Sequence, residues 1–170
     1  LSTAGEWVNT QWAWIDVRSG GAFRNSGRLI NHGGISAADS VFENAAGGVV
    51  DHYGRLATDL LRNAGTFNYH GGSQLSFSRL LSSGTFNQYA DLSLSAEQRV
   101  QNEGIYNIGG TTQFSQLWID NGAEFTSSAS GAVNNYGQVY VDGGELSTAG
   151  EWVNTQWAWI DVRSGGAFRN

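Results

Sequence analysis

Three groups of side chains have types and spacings that chemistry can use. The first is acidic. Asp120, Asp142 and Asp161, with Asp16 as the copy of Asp161, close three related phrases: Leu117-Trp118-Ile119-Asp120, Val139-Tyr140-Val141-Asp142 and Ala158-Trp159-Ile160-Asp161. Glycine follows each at Gly122, Gly143 or Gly165. Carboxylates about 5–10 Å apart across neighbouring strands have the spacing used in sugar cleavage. Asp at a strand end beside glycine is equally an Asx turn. Recurrence of the acids at equivalent turn positions, with no Lys to serve as base, favours the turn over a catalytic pair. The second group is aromatic. If Val139 and Val141 point inward, strand alternation points Tyr140 outward, and Trp118, Trp159 and Trp14 with it. Trp118, Tyr140 and Trp159 are then expected to stack on successive turns, with Trp12 and Trp157 extending the row. The alternative parity would fill the core with these rings. A contiguous exposed aromatic row marks a contact surface, for a glycan or for a neighbouring fibre. The third group is His32, His52 and His70, each five residues after a glycine (Gly27, Gly47 and Gly65). They are expected in one column about 4.8 Å apart. Its simple reading is ring stacking at a turn; its chemical reading is a Zn²⁺ or Cu²⁺ site, since imidazole suits both. Clustered imidazoles resist protonation, so stability should fall as pH drops below about 6.5.

Other chemistries lack their residues. The chain has 170 residues and no Cys, Met or Pro, so disulfides, thiolate metal sites and Cys nucleophiles are excluded. All nine cations are Arg and the net charge is −6, which argues against binding a phosphate backbone. No apolar run approaches the ~20 residues of a membrane helix. There is no basic-then-apolar leader, which suits a mature fragment or an internal piece. No Gly-rich phosphate loop, RTX-type calcium repeat or Ser/His/Asp spacing is present, and no cofactor is expected. With 7 Trp, 8 Phe and 6 Tyr against 14% charged residues, the chain can build a core.

The elements that must hold these groups come from repetition at two scales. Residues 1–25 and 146–170 are identical, an offset of 145. This is either one unit of a tandem array with the start of the next, or an engineered duplication; the array is the reading adopted here. Inside the unit a shorter phrase recurs: apolar-x-Asn/Ser/Thr-x-Gly-x-apolar, as in Phe23-Arg24-Asn25-Ser26-Gly27-Arg28-Leu29 and Leu61-Arg62-Asn63-Ala64-Gly65-Thr66-Phe67. Its glycines, Gly5, Gly27, Gly47, Gly65, Gly84, Gly104, Gly131 and Gly150, divide the 145 residues into seven coils. Each coil of about 20 residues holds three short alternating stretches and no sustained helical stripe. This predicts an all-β chain, a single right-handed parallel β-helix (β-solenoid) over 1–170. Seven coils rise about 34 Å at the strand spacing. Trp7, Leu29, Val49, Phe67, Phe86, Tyr106, Val133 and Trp152 form one expected core column, and Phe23, Leu61, Leu80, Val100 and Leu146 a second. Asn25, Asn44, Asn63 and Asn102 are expected to stack as an amide ladder.

The phrases GAFRNSGRLINHGG, LLRNAGTFNYHGG and VQNEGIYNIGG resemble the β-helical repeats of the filamentous haemagglutinin family, secreted or surface adhesins of Gram-negative bacteria with long solenoid shafts. The resemblance implies a structural and adhesive shaft at the bacterial surface or outside the cell, with no catalytic residues to carry over. Its expected partners are other copies end to end or side by side, and a glycan or host-surface ligand; nucleic acid and membrane insertion are not expected. A solenoid without a polar cap exposes strand edges at both ends, which is the basis for end-to-end association. Two other readings remain: a carbohydrate-active β-helix enzyme (polysaccharide lyase or hydrolase) and a glycan-binding module.

Overall fold

The computed structural model describes residues 1–71, 74–95, 97–110, 115–155 and 157–170. Its strands stack as a parallel β-solenoid of about eight turns, roughly 21 residues each, with no helix among the described residues. A turn visits three faces. Face one runs from Ser2–Thr3 through Ala22–Asn25 and Arg99–Asn102 to Ala167–Arg169. Face two stacks eight strands, from Glu6–Asn9 to Glu151–Asn154. Face three holds Leu92–Leu94, Gln116–Asp120, Gln138–Asp142 and Trp159–Arg163. In the lower turns the long strands Gly34–Asn44, Arg55–Asn63 and Gln74–Ser82 pass from the position of face three into face one. The first of them bends near Asp39, whose φ is 54°, and the register shifts between Ala37 and Val41.

Period-2 alternation decides which side chains go in. Phe23, Phe42, Leu61, Leu80, Val100, Phe125 and Leu146 form the inward column of face one, each 0–1% exposed. On face two the column is Trp7, Leu29, Val50, Phe67, Phe86, Tyr106, Val133 and Trp152. Rings meet along the axis: Phe23 on Phe42 at 5.1 Å, Phe67 on Phe86 at 5.2 Å and Phe86 on Tyr106 at 4.9 Å. Each fully buried ring contributes about 1.5–3 kcal/mol by leaving water. No turn can bury its apolar edge alone, so this energy exists only through stacking.

One expected core residue differs. Val50, not Val49, is buried, because the third turn carries an extra residue and its turn glycine is Gly48. Gly47 takes the positive φ of 81° that the additional residue demands. The glycine column also allows close approach: a Cβ on Gly65 would lie 2.5 Å from the Ala45 carbonyl oxygen and closer still to that of Gly48.

The faces are not continuous everywhere. Among the described residues no ladder joins Gln74–Phe77 to Leu92–Leu94, the next strand on that side. A cleft of 650 Å³ opens there, bordered by Gln74, Phe77, Ser93 and Arg99. The side chain of Gln98 reaches into it and donates Nε2–H to the Phe77 carbonyl oxygen at 2.6 Å.

Candidate functional site

The outer side of face three carries the expected aromatic and acidic groups. Leu117, Ile119, Val139 and Val141 are fully buried, so Trp118 and Tyr140 project outward and are half-buried against each other. Their rings stack at 4.0 Å and 14°. Side-chain amides brace them: Gln116 donates to Gln138 at 3.0 Å, Trp118 Nε1–H donates to Gln116 Oε1 at 3.3 Å, and the Tyr140 hydroxyl donates to Gln138 Oε1 at 2.9 Å.

The row ends there, which differs from the three-ring expectation. Trp159 lies opposite Gln138, and Asp161 lies opposite Tyr140. The competing registers differ in what they bury. The observed one sets Ile160 and Val162 against Val139 and Val141, whereas the phrase alignment would have set Ala158 and Ile160 there. Ile160 packs against the core, Val162 is a larger apolar side chain than Ala158 though 44% exposed at this end, and a strand's register follows its apolar face. Asp120 and Asp142 do face one another across neighbouring strands, but Arg163 takes the next place in their column. The Arg163 guanidinium binds Asp161 and sits 5.1 Å from the Tyr140 ring. Both faces of Tyr140 are therefore covered, one by Trp118 and one by Arg163. Asp16 stands apart beside Ser36, 4.0 Å from Arg18. Trp12 lies in a turn outside any strand and extends no row.

The histidines also separate. His32 and His70 lie in one outer column, but the ring between them is Tyr53: His32–Tyr53 is 4.8 Å, Tyr53–His70 is 4.3 Å and His70–Tyr89 is 5.1 Å. His52 points inward and is buried. The cause is the same extra residue at Gly47, since a one-residue slip moves a strand's side chains to the opposite face. Counted from Gly48, the fifth residue is Tyr53. Among the described residues no three His, Cys, Asp or Glu side chains are grouped to hold a metal ion, so the three imidazoles make no common site.

His52 instead joins a buried ladder. Asn9 donates to Asn31 Oδ1 at 2.7 Å; the Asn31 amide is 3.0 Å from His52 Nδ1, and His52 Nε2 is 3.4 Å from the Gln74 carbonyl oxygen. An amide N–H can only donate, so Nδ1 accepts, the proton sits on Nε2, and the ring is neutral. Burial pulls the His52 pKa down from 6.5 to about 4; the Gln74 bond opposes this and His70 adds a smaller push downward. His70 is also lowered, mainly by partial burial, against the pull of Asp51 3.8 Å away.

Two further ladders run along the axis. On face one Asn25 donates to Asn44 at 2.9 Å, Asn44 to Asn63 at 2.9 Å, and Asn63 to the Ser82 hydroxyl at 3.2 Å. Asn102 starts again by donating to Ser127 at 3.2 Å. Its own Oδ1 is buried and unpaired among the described residues. The expected Asn stack is therefore present, interrupted at Ser82. The other ladder, on the outside of face two, was not anticipated. Asn134 donates to Asn107, Asn107 to Asn87, Asn87 to Asn68, and Asn68 to Asp51, at 2.6–2.8 Å. Asp51 also accepts from Arg28 Nη2 at 3.0 Å. A sequence signal existed: each of these residues lies three positions after its turn glycine. Comparison with protein-family models, with curated proteins and with solved structures finds no match.

Proposed function

We propose that this chain is a segment of a structural shaft, built by stacking 145-residue units without a seam and associating end to end. One observation carries the reading: the same 25 residues appear in the structure with a turn above them and with a turn below them. Residues 1–25 support the turn above, where Asn9 donates to Asn31 at 2.7 Å and Phe23 stacks on Phe42. Residues 146–170 rest on the turn below, where Asn135 donates to Asn154 at 3.1 Å and Leu146 pairs with Phe125. Asn154 is the copy of Asn9. Its Oδ1 is engaged from below, and its amide is free to donate upward as Asn9 does. Hydrogen bonds, glycine turns and core columns thus have one polarity across the junction, and a following unit can repeat contacts that this chain already makes.

Among the described residues the turns are regular, the clefts are open to solvent and the acids sit in turns or beside Arg163, which fits a scaffold better than a polysaccharide lyase or hydrolase. The resemblance to haemagglutinin-type repeats adds the proposal of an adhesive shaft at a bacterial surface or in the extracellular space. The test extends the chain by one unit. Small-angle scattering should show the long dimension growing by about 34 Å, seven turns at the strand spacing, with an unchanged cross-section. Electron microscopy of the 170-residue chain should show filaments or stacks. Flexibly linked beads in the longer chain, or strictly monomeric particles in the shorter one, would overturn the shaft and the end-to-end association respectively.

A further inference from the structure

The corner between faces two and three holds a groove across the first three turns. Its larger part has a volume of 640 Å³ and is lined by Trp12, Trp14, His32, Tyr53, Arg55 and the backbone of Gly33–Gly34. A second part of 420 Å³ shares Gln11, His32 and Tyr53 with it and adds Thr10. These volumes are in the range of small-ligand sites. Gly34 makes the arrangement possible. The six-membered ring of Trp14 occupies the space a Cβ there would fill, and its indole continues across to Arg55, whose guanidinium carbon lies 5.7 Å from the ring centroid. His32 stacked on Tyr53 forms the facing wall.

The duplication shows whether this exposure survives in a longer fibre. Trp12 is 94% exposed with a turn above it, and its copy Trp157 is 73% exposed with a turn below it. Trp14 and Trp159 give 57% and 49% in the same two settings. Trp12 keeps most of its surface in both settings, whereas Trp14 lies across Gly34 below Arg55 and is about half covered in either. Trp12 differs in this from Tyr140, whose faces are spent on Trp118 and Arg163.

The charge is equally specific. Among the described residues no carboxylate lines the groove, in a chain of net charge −6. Arg55 is its one permanent cation, and among the described residues it forms no ion pair. We infer that this groove is a binding site for a saccharide bearing a carboxylate, with a sugar ring against the exposed indoles and the acid on Arg55. Sugars present apolar ring faces that pack on aromatic rings, hydroxyls that suit Thr10, Gln11 and His32, and, in uronic and sialic acids, a carboxylate that suits a guanidinium. The site is complete within residues 10–55. The second Trp pair lacks its following turn here, so the 170-residue chain has one site. Its recurrence every 145 residues rests on the shaft reading; its existence does not.

Isothermal titration calorimetry of the 170-residue chain provides the test. The probes are trigalacturonate against its methyl ester, and sialyllactose against lactose. At least one acidic probe should bind at one per chain and more tightly than its neutral partner, and which one binds identifies the type of acid. Arg55→Gln should weaken the acidic probe about tenfold or more, as for loss of a charge-assisted bond, and leave its neutral partner unchanged. Trp12→Ala with Trp14→Ala should abolish binding, whereas Trp157→Ala with Trp159→Ala should not affect it. Circular dichroism checks that each variant keeps the strand signal. Equal affinity for acidic and neutral partners, no binding of either acid, or equal losses from the two Trp pairs would overturn the assignment. So would sugar-independent dimerisation lost on Trp12→Ala, which would make the groove a contact between copies.

Discussion

Replacing His52 by Asn should remove a specific part of the acid sensitivity of this fold. Asn occupies the same inner column at Asn9, Asn31, Asn135 and Asn154, so the substitution places a familiar side chain in the ladder. The native imidazole is held neutral by burial, with its pKa lowered from 6.5 to about 4. The unfolded chain therefore takes up a proton near pH 6.5 and the folded chain only near pH 4. The contribution of neutral His52 is complete above 6.5 and is lost as pH falls from there towards 4. Between pH 7.5 and 4.5 this amounts to about 2.5 kcal/mol of unfolding free energy, at 1.36 kcal/mol per pKa unit. Urea unfolding followed by tryptophan emission at the two pH values measures it. The wild type should lose about 2.5 kcal/mol more than His52→Asn on acidification. His70 titrates in both proteins and cancels in the difference. Parallel losses would refute the reasoning, since they would mean that His52 is protonated in the fold or does not limit it.

Ser82→Asn should stabilise the chain by about 1 kcal/mol, because a new amide would accept from Asn63 and donate to the unpaired Asn102 Oδ1; an unchanged or lowered urea midpoint would show that the column cannot hold the larger side chain. Asn44→Ala leaves the Asn25 amide its bonds to the Gly27 and Val49 carbonyl oxygens but strands a buried acceptor on Asn63, and should cost about 2 kcal/mol by the same measurement, against about 1 kcal/mol for Asn87→Ala on the outer ladder. Gly65→Ala should prevent the normal stacking of its turn, since the new methyl meets backbone oxygens. Gly47→Ala has open space around it and should cost only the about 1–2 kcal/mol of a positive φ; thermal melts of the pair separate close approach from backbone strain.

The solenoid was legible because a repeat states the same requirement many times. Seven versions of one phrase place Phe23, Leu61, Phe67 and Phe86 in the core more securely than any one would. The identical ends then fix the length of the unit. The errors arose where one turn departs from the others. Gly47-Gly48 adds a residue, and a glycine count cannot tell which of the two occupies the turn column; Val49, His52 and Tyr53 all moved with that choice. Trp159 was placed by the likeness of Ala158-Trp159-Ile160-Asp161 to its neighbours, yet the structure pairs Ile160 with Val139 and Val162 with Val141. A local phrase competes poorly with apolar area two residues further on. The outer Asn ladder and the Trp14–Arg55 groove depend on contacts between turns, and a single turn of sequence contains only half of each such contact.

The hydrogen bonds of all three faces run along the axis of the solenoid, which gives the molecule a definite mechanical character. Tension between its ends loads successive turns in series. A turn that opens exchanges a rise of about 4.8 Å for about 70 Å of extended chain. The solenoid should therefore resist small forces rigidly and yield to large ones in discrete, long steps. The first step has a natural place: where Gln74–Phe77 and Leu92–Leu94 share no ladder, two faces carry the load of three. The cleft bridged by Gln98 is thus the place where the stack should part first under tension.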